Sequence, residues 1–349
     1  MSETTQNSKG TPASWGRLAL RGVLLLLGMI SIYFFLPTLL DLAEKAPQLE
    51  HVKWRWFFLM GLLMTGAFAS QWALTRIAVP GVSWFVAATS QLTSNAAVKV
   101  IPGGVVAGGA FYFRMLAASG VPMGTAVAAL AAVGILSNLV LLALPAVAVV
   151  IAIVSAPIPE GMLPVAIAGT VMFVAMFTAA VVIVRFNRPL EWLGWVVEHV
   201  VSWAADLLKK DWSISADDLI RQRDEVVSAL GKRWHKALAV AVSNWLLDYA
   251  TLVVALIAVG AQPRPSLVLL AFAGAAVLGM IPITPGGLGF VEAGLVGMLT
   301  ISGIPAGDAL LATLAYRLFQ FWLPIPAGLV AYVLFRHRYG KLSDLPTAS

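Results

Sequence analysis

No cysteine occurs among the 349 residues. Disulfides, thiolate metal sites and a cysteine nucleophile are therefore excluded. Histidine is scarce as well: His51, His199, His235 and His337 all lie in or beside polar connections, without paired ligand spacing. No metal site is expected from them. Charge is the third shortage, since Asp, Glu, Lys and Arg make up 11% of the chain against 60% hydrophobic residues. A soluble core of that composition would leave large apolar patches in water, whereas lipid accepts such faces directly. Enzymatic templates are missing too: there is no Gly-x-Ser-x-Gly elbow, no P-loop, no His-Glu-x-x-His and no Gly-x-Gly-x-x-Gly opening a helix after a strand. The chain reads as a membrane protein and not as an enzyme, with no cofactor. Its net charge of +6 is a topology signal before it is a nucleic-acid signal, and no nucleic-acid partner is expected.

What is present is a series of apolar blocks. Residues 22–40, 54–79, 125–153, 164–184, 237–260 and 309–335 are each long enough for a ~30 Å hydrocarbon layer. The first follows Arg17 and Arg21 but has no small-x-small cleavage site, so it is expected to stay as a span. Two stretches, 83–119 and 267–302, have shorter or more polar arms around Pro102-Gly103-Gly104 and Pro285-Gly286-Gly287, with Gly289 just beyond. Proline ends a helix and glycine admits positive φ, so each tripeptide predicts a sharp turn at the tip of a re-entrant hairpin. Irregular backbone at membrane depth is tolerated where protein or a watery cavity covers it.

The two hairpins are related. A shift of 183 residues aligns Pro102, Gly103 and Gly104 with Pro285, Gly286 and Gly287, and identity continues without a gap at Ala110/Ala293, Met115/Met298, Leu116/Leu299, Ser119/Ser302, Gly120/Gly303, Pro122/Pro305, Gly124/Gly307, Ala126/Ala309 and Ala129/Ala312. This ordered framework reads as an internal duplication. Basic residues cluster before the first span, between the fourth and fifth, and after the last, which predicts cytoplasmic termini. Three full crossings then separate the hairpins, so the repeats face opposite ways. The expected fold is an all-α polytopic membrane protein of two inverted-topology repeats, with about six full spans and two hairpins. Its expected parts are a disordered tail over 1–16, a first repeat over 17–155, a fourth span over 156–186, a cytoplasmic amphipathic connection over 187–236, a second repeat over 237–338 and a tail over 339–349.

Ionisable residues inside membrane segments are costly and are functional candidates by default. Lys99 and Arg114 fall in the first hairpin, Asp248 in the fifth span, Glu292 in the second hairpin and Arg317 in the sixth span; Asn95 and Gln320 add uncharged polarity. Hairpin tips of inverted repeats tend toward the midplane, where transporters place substrate sites. The competing account is that these charges pair and brace the bundle, for instance Glu292 with Lys99 or Arg317.

The run Ile281-Pro-Ile-Thr-Pro-Gly-Gly-Leu-Gly-Phe-Val-Glu292, followed by Gly303-Ile-Pro, Ala309 and Tyr316-Arg317-Leu318, resembles the transmembrane region of the lysylphosphatidylglycerol synthase family, the flippase-like module of the multiple peptide resistance factor. Similar modules stand alone in bacterial inner-membrane proteins. By that resemblance Pro285, Gly286, Gly287, Gly289, Glu292 and Arg317 match the family pattern, and Asn95, Pro102 and Arg114 match its looser first half. The acidic-basic pair that the family often carries after the first hairpin is replaced here by Ala132-Val133-Gly134 and Ser137-Asn138. The resemblance covers no aminoacyl-transfer domain, so it implies movement of an amphiphile, not lysyl transfer.

The expected function is that of a flippase-like transporter of the bacterial inner membrane, moving a lipid or lipid-linked amphiphile between leaflets by gating of its repeats about a midplane site. The expected site comprises Glu292, Arg317, Asp248, Lys99, Arg114 and Asn95, and the expected partner is the lipid substrate. Two alternatives stay open: a non-transporting scaffold for a separately encoded lipid-modifying enzyme or glycosyltransferase, and a proton-coupled small-solute transporter.

Overall fold

Long apolar runs without interruption form long helices, because a backbone in lipid must satisfy its own hydrogen bonds. The computed structural model describes residues 54–101, 104–155, 158–186, 221, 224, 227–228, 231–280 and 284–340. In chain order the helices are α1 (Arg55–Ala78), α2 (Trp84–Val100), α3 (Gly104–Ala118), α4 (Met123–Ser155), α5 (Leu163–Arg185), α6 (Trp234–Ala258), α7 (Pro265–Leu278), α8 (Phe290–Ile301), α9 (Ala306–Arg317) and α10 (Pro324–Tyr339). No strand occurs among the described residues. Five segments there are long and apolar enough to cross a membrane, namely α1, α4, α5, α6 and the run Ala306–Tyr339, which are five of the six predicted spans. The chain is a polytopic, all-helical membrane protein. The predicted span 22–40, both tails, most of the 187–236 connection, Pro102 and Gly103 lie outside the described residues.

The hairpin stretches are each divided into two shorter arms. α7 and α8, at 14 and 12 residues, reach only ~21 and ~18 Å at 1.5 Å per residue. α2 and α3, at 17 and 15 residues, are little longer. The turn between α7 and α8 follows from glycine: Gly286, Gly287 and Gly289 all have positive φ, at 60°, 72° and 79°, a region that costs any L side chain.

The elements of the second half follow those of the first in the same order and at nearly the 183-residue offset. α1 corresponds to α6, α2 to α7, α3 to α8, and α4 to the run from α9 through α10. Packing is reciprocal in the same sense. α4 lies along α7 while α10 lies along α2, each hairpin packs on its own second arm, and α1 packs along α6. Hydrophobic attraction is weak between helices in lipid, so close contact depends on small residues. A side chain at Gly328 of α10 would run into the Leu92 carbonyl and the Ala96 side chain of α2, and one at Gly104 would run into the Val98 carbonyl. These contacts bring the last turns of α2 deep into the second half.

Candidate functional site

The run from α9 to α10 is not one regular helix. Residues Leu318–Trp322 form a π turn, in which the Leu323 N–H donates to the Leu318 carbonyl at 2.9 Å. Pro324 follows and has no N–H to offer the Gln320 carbonyl four residues upstream. The Lys99 ammonium, at the end of α2, donates into that carbonyl instead. Sequence reading treated 309–335 as a single span; the run Ala306–Tyr339 does keep the length of one span, but its ladder is interrupted at the π turn, because Pro324 and Pro326 cannot complete it.

The opening created by the π turn is filled from the second hairpin. A side chain at Gly286 would overlap the Phe321 ring and lie 3.2 Å from the Lys99 Cα, so the tip of the second hairpin is wedged between the π turn and the end of α2. The tip is held by the Gly287 N–H donating to the Thr284 carbonyl at 3.0 Å and by the Thr284 hydroxyl donating to the Leu288 carbonyl at 2.9 Å.

Arg317 gathers this junction. Its Nε donates to Glu292 Oε1 at 2.7 Å, and Nη2 lies 2.7 Å from the same oxygen in an ion pair. Its Nη1 donates to Gln320 Oε1 at 3.1 Å, and Nη2 also points to the Gly286 carbonyl at 3.4 Å. The guanidinium carbon sits 4.4 Å from the Phe321 ring centroid, and the Lys99 ammonium sits 5.4 Å from the same centroid. Both cations therefore face one aromatic ring, an electrostatically favourable placement for charge away from water. Arg317 and Lys99 are 4% and 7% exposed. Glu292 stands in the first turn of α8, where the helix dipole favours a carboxylate.

Asp248 approaches from α6 and accepts the Tyr316 hydroxyl at 2.9 Å. Tyr316 is itself set by an edge contact with Phe272 of α7, whose ring also meets Trp245 and Tyr249. Lys99, Asp248 and Arg317 lie within electrostatic reach of one another. The structure thus brings together Lys99, Asp248, Glu292 and Arg317 with the glycines of the second tip. Asn95 lies on α2 one turn before Lys99, with its Oδ1 buried and lacking a partner.

Arg114 is the exception. It is exposed on α3, because the face that α3 buries is set by Gly104, Gly108, Tyr112, Met115 and Leu116. Gly104 is buried at the start of α3, where the chain doubles back over α2. Sequence reading did not place Tyr316 or Phe321 in the expected site, although Phe321 sits four residues after Arg317 and Tyr316 immediately precedes it in the signature Tyr316-Arg317-Leu318. Proline at 324 was the one signal that the helix must open there.

Glu292 and Arg317 sit in a buried junction to which both halves of a polytopic helical bundle contribute, and this defines the class: a multi-pass membrane protein with a charged centre between the end of α2 and the tip of the second hairpin. Residues 18–328 match the lysylphosphatidylglycerol synthase TM region, and the chain belongs to that family. A protein named UPF0104 membrane protein from Methanothermobacter thermautotrophicus (strain Delta H) is 30% identical over 102 residues, which is 29% of this chain and 28% of that relative. No solved structure matches.

Proposed function

We propose that the protein moves a lipid or lipid-linked amphiphile between leaflets, with the headgroup passing the junction of Lys99, Asp248, Glu292 and Arg317 while the tails stay in hydrocarbon. The observation that carries this reading is the convergence itself: the Gly286 tip, the Lys99 helix end and the Phe321 π turn come from three separate segments and meet around a buried ion pair. Each embedded charge costs roughly 2.5–3.5 kcal/mol in a bilayer on insertion scales. Four of them in one place favour a polar route over a purely structural brace. Tips held by glycine and an irregular helix are the elements whose packing can alternate, so gating is assigned to the motion of the two hairpins against the long helices. The basic connection and termini face the cytoplasm of a bacterial inner membrane in this reading.

Reconstitution in vesicles with acyl-labelled phospholipids and polyprenyl lipids tests it. The expected result is headgroup transfer above empty vesicles, lowered by Glu292→Gln with folded yield retained. No transfer across these classes overturns the proposal; equal loss of transfer and yield in the variant returns the ion pair to a bracing role.

A further inference from the structure

The duplication gives the junction two comparable approaches, one from each end of the bundle, and they differ in polarity. α2 and α6 start together, since Val86 and Ala87 share a buried cluster with Ala237 and Ala241. Both run inward to the junction, where Lys99 and Asp248 lie within electrostatic reach of one another. Both pack on α1, but neither packs along the other. Asn95 and Gln91 precede Lys99 by one and two helical turns, and Asn244 precedes Asp248 by one, so each polar series keeps to the helix face of its junction residue. Gln91, Asn95 and Asn244 are half-buried, and Asn95 Oδ1 is buried without a partner. The end from which this approach starts is basic, with Lys236 beside the buried Ala237 and with Arg336 and Arg338 beyond the buried Phe335.

The approach related to it by the 183-residue offset lies between α7 and α1 and starts from the opposite end, where Leu267 and Met60 share the other buried cluster. There Gln91 and Asn95 are replaced by Gly274 and Leu278, and Asn244 and Asp248 by Gly61 and Thr65. Packing fills the space at both glycines: a Cβ at Gly274 would meet the Met298 and Val165 side chains at 2.8 and 2.9 Å, and one at Gly61 would meet the Phe319 ring at 3.3 Å. The Thr65 hydroxyl is spent on its own helix, donating to the Gly61 carbonyl at 2.7 Å. A polar group leaving water needs replacement partners along its path, and of these two related approaches only the one along α2 and α6 supplies them. We infer that polar headgroups enter the junction from the basic end alone, with Gln91, Asn95 and Asn244 guiding them to Lys99 and Asp248, and that the approach between α7 and α1 is shut. What enters rests on the translocation reading just given; the route rests on the contrast between the two halves.

The chain has no cysteine, so single cysteines in the full chain report on each approach. Gln91→Cys and Asn244→Cys sample the first, Leu278→Cys and Thr65→Cys the second, and Lys236→Cys and Ala306→Cys mark the two ends. A charged, membrane-impermeant maleimide is added to intact spheroplasts and, separately, to inverted vesicles, and labelling is read by mass spectrometry. The thiolate that reacts forms where water reaches and not in an apolar contact. Gln91→Cys and Asn244→Cys should label from the side that labels Lys236→Cys, about tenfold faster than Leu278→Cys and Thr65→Cys from either side, and not from the side that labels Ala306→Cys. Monodisperse elution screens each variant for folding, and Asn95→Cys stands in for a route variant that fails. Route cysteines that label from the Ala306 side, that label no faster than Leu278→Cys and Thr65→Cys, or that label equally from both sides overturn the inference. Lipid transfer in vesicles without labelling of the route leaves the translocation reading standing and sinks this one. Labelling as expected without any transfer does the reverse.

Discussion

Replacing Gly286 by alanine strains the junction in two separable ways. The residue sits at φ 60°, where an L side chain costs about 1–2 kcal/mol. Its Cβ would also overlap the Phe321 ring, and overpacking of that kind costs about 1–3 kcal/mol. The total expected loss is about 2–5 kcal/mol, taken as the sum of those two ranges. Gly289 provides the control, since its φ is 79° but nothing lies within 4 Å of a Cβ there; Gly289→Ala should show only the backbone part. Phe321→Leu, combined with Gly286→Ala, should recover the steric part, a coupling of about 1–3 kcal/mol in a double-mutant cycle. The measurement is reversible unfolding in mixed micelles with rising SDS, followed by far-ultraviolet circular dichroism. If the two substitutions add within about 0.5 kcal/mol, the tip is not pressed against the ring. If Gly286→Ala and Gly289→Ala lose equal stability, the wedge between α2 and the π turn is wrong.

Arg317→Lys keeps the charge but cannot reach Glu292, Gln320 and Gly286 together, and should lose about 1.5–3 kcal/mol in the same titration; stability equal to the parent would show that the guanidinium fan is dispensable. Lys99→Met should lose about 1–3 kcal/mol by leaving the Gln320 carbonyl unmet, and Pro324→Ala should suppress that loss by restoring an N–H to the same carbonyl. A double variant no more stable than Lys99→Met alone would refute the account of why the π turn needs Lys99.

Five of the six spans were legible, those that fall on the described residues, because bilayer thickness imposes a length that a run of apolar residues either meets or does not. The duplication was legible for a more specific reason: its identities fall where the fold leaves little choice. Gly120 and Gly303 take φ of 90° and 96° at the ends of α3 and α8. The Ser119 and Ser302 hydroxyls donate to the Leu116 and Leu299 carbonyls at 2.7 and 2.6 Å. Ala126/Ala309 and Ala129/Ala312 are at most 1% exposed. The π turn was not legible from hydropathy, which does not change when a helix slips by one residue; proline at 324 was its only mark. Nor was the Tyr316–Asp248 bond, which joins residues 68 apart through the packing of α6 on α9. Arg114 shows the limit of counting charges inside apolar segments: the composition singles it out, but only the phase of α3 decides which side it faces.

The halves share a scaffold without sharing a site. At the 183-residue offset, Glu292 and Arg317 correspond to Gly109 and Gly134, and Lys99 corresponds to Pro282. A Cβ at Gly134 would meet nothing within 4 Å, and one at Gly109 would find only Leu130, at 3.9 Å. Neither glycine is required by packing or by positive φ, so the first half has room where the second has an ion pair. A symmetric pair of charged centres would place a second carboxylate and guanidinium in the bilayer, each costing roughly 2.5–3.5 kcal/mol before pairing. One charged centre, reached by Lys99 from the other half, joins the two hairpins at lower cost than two. Both hairpins then meet at the same junction, the first through Lys99 on the Gln320 carbonyl and the second through Glu292 on Arg317.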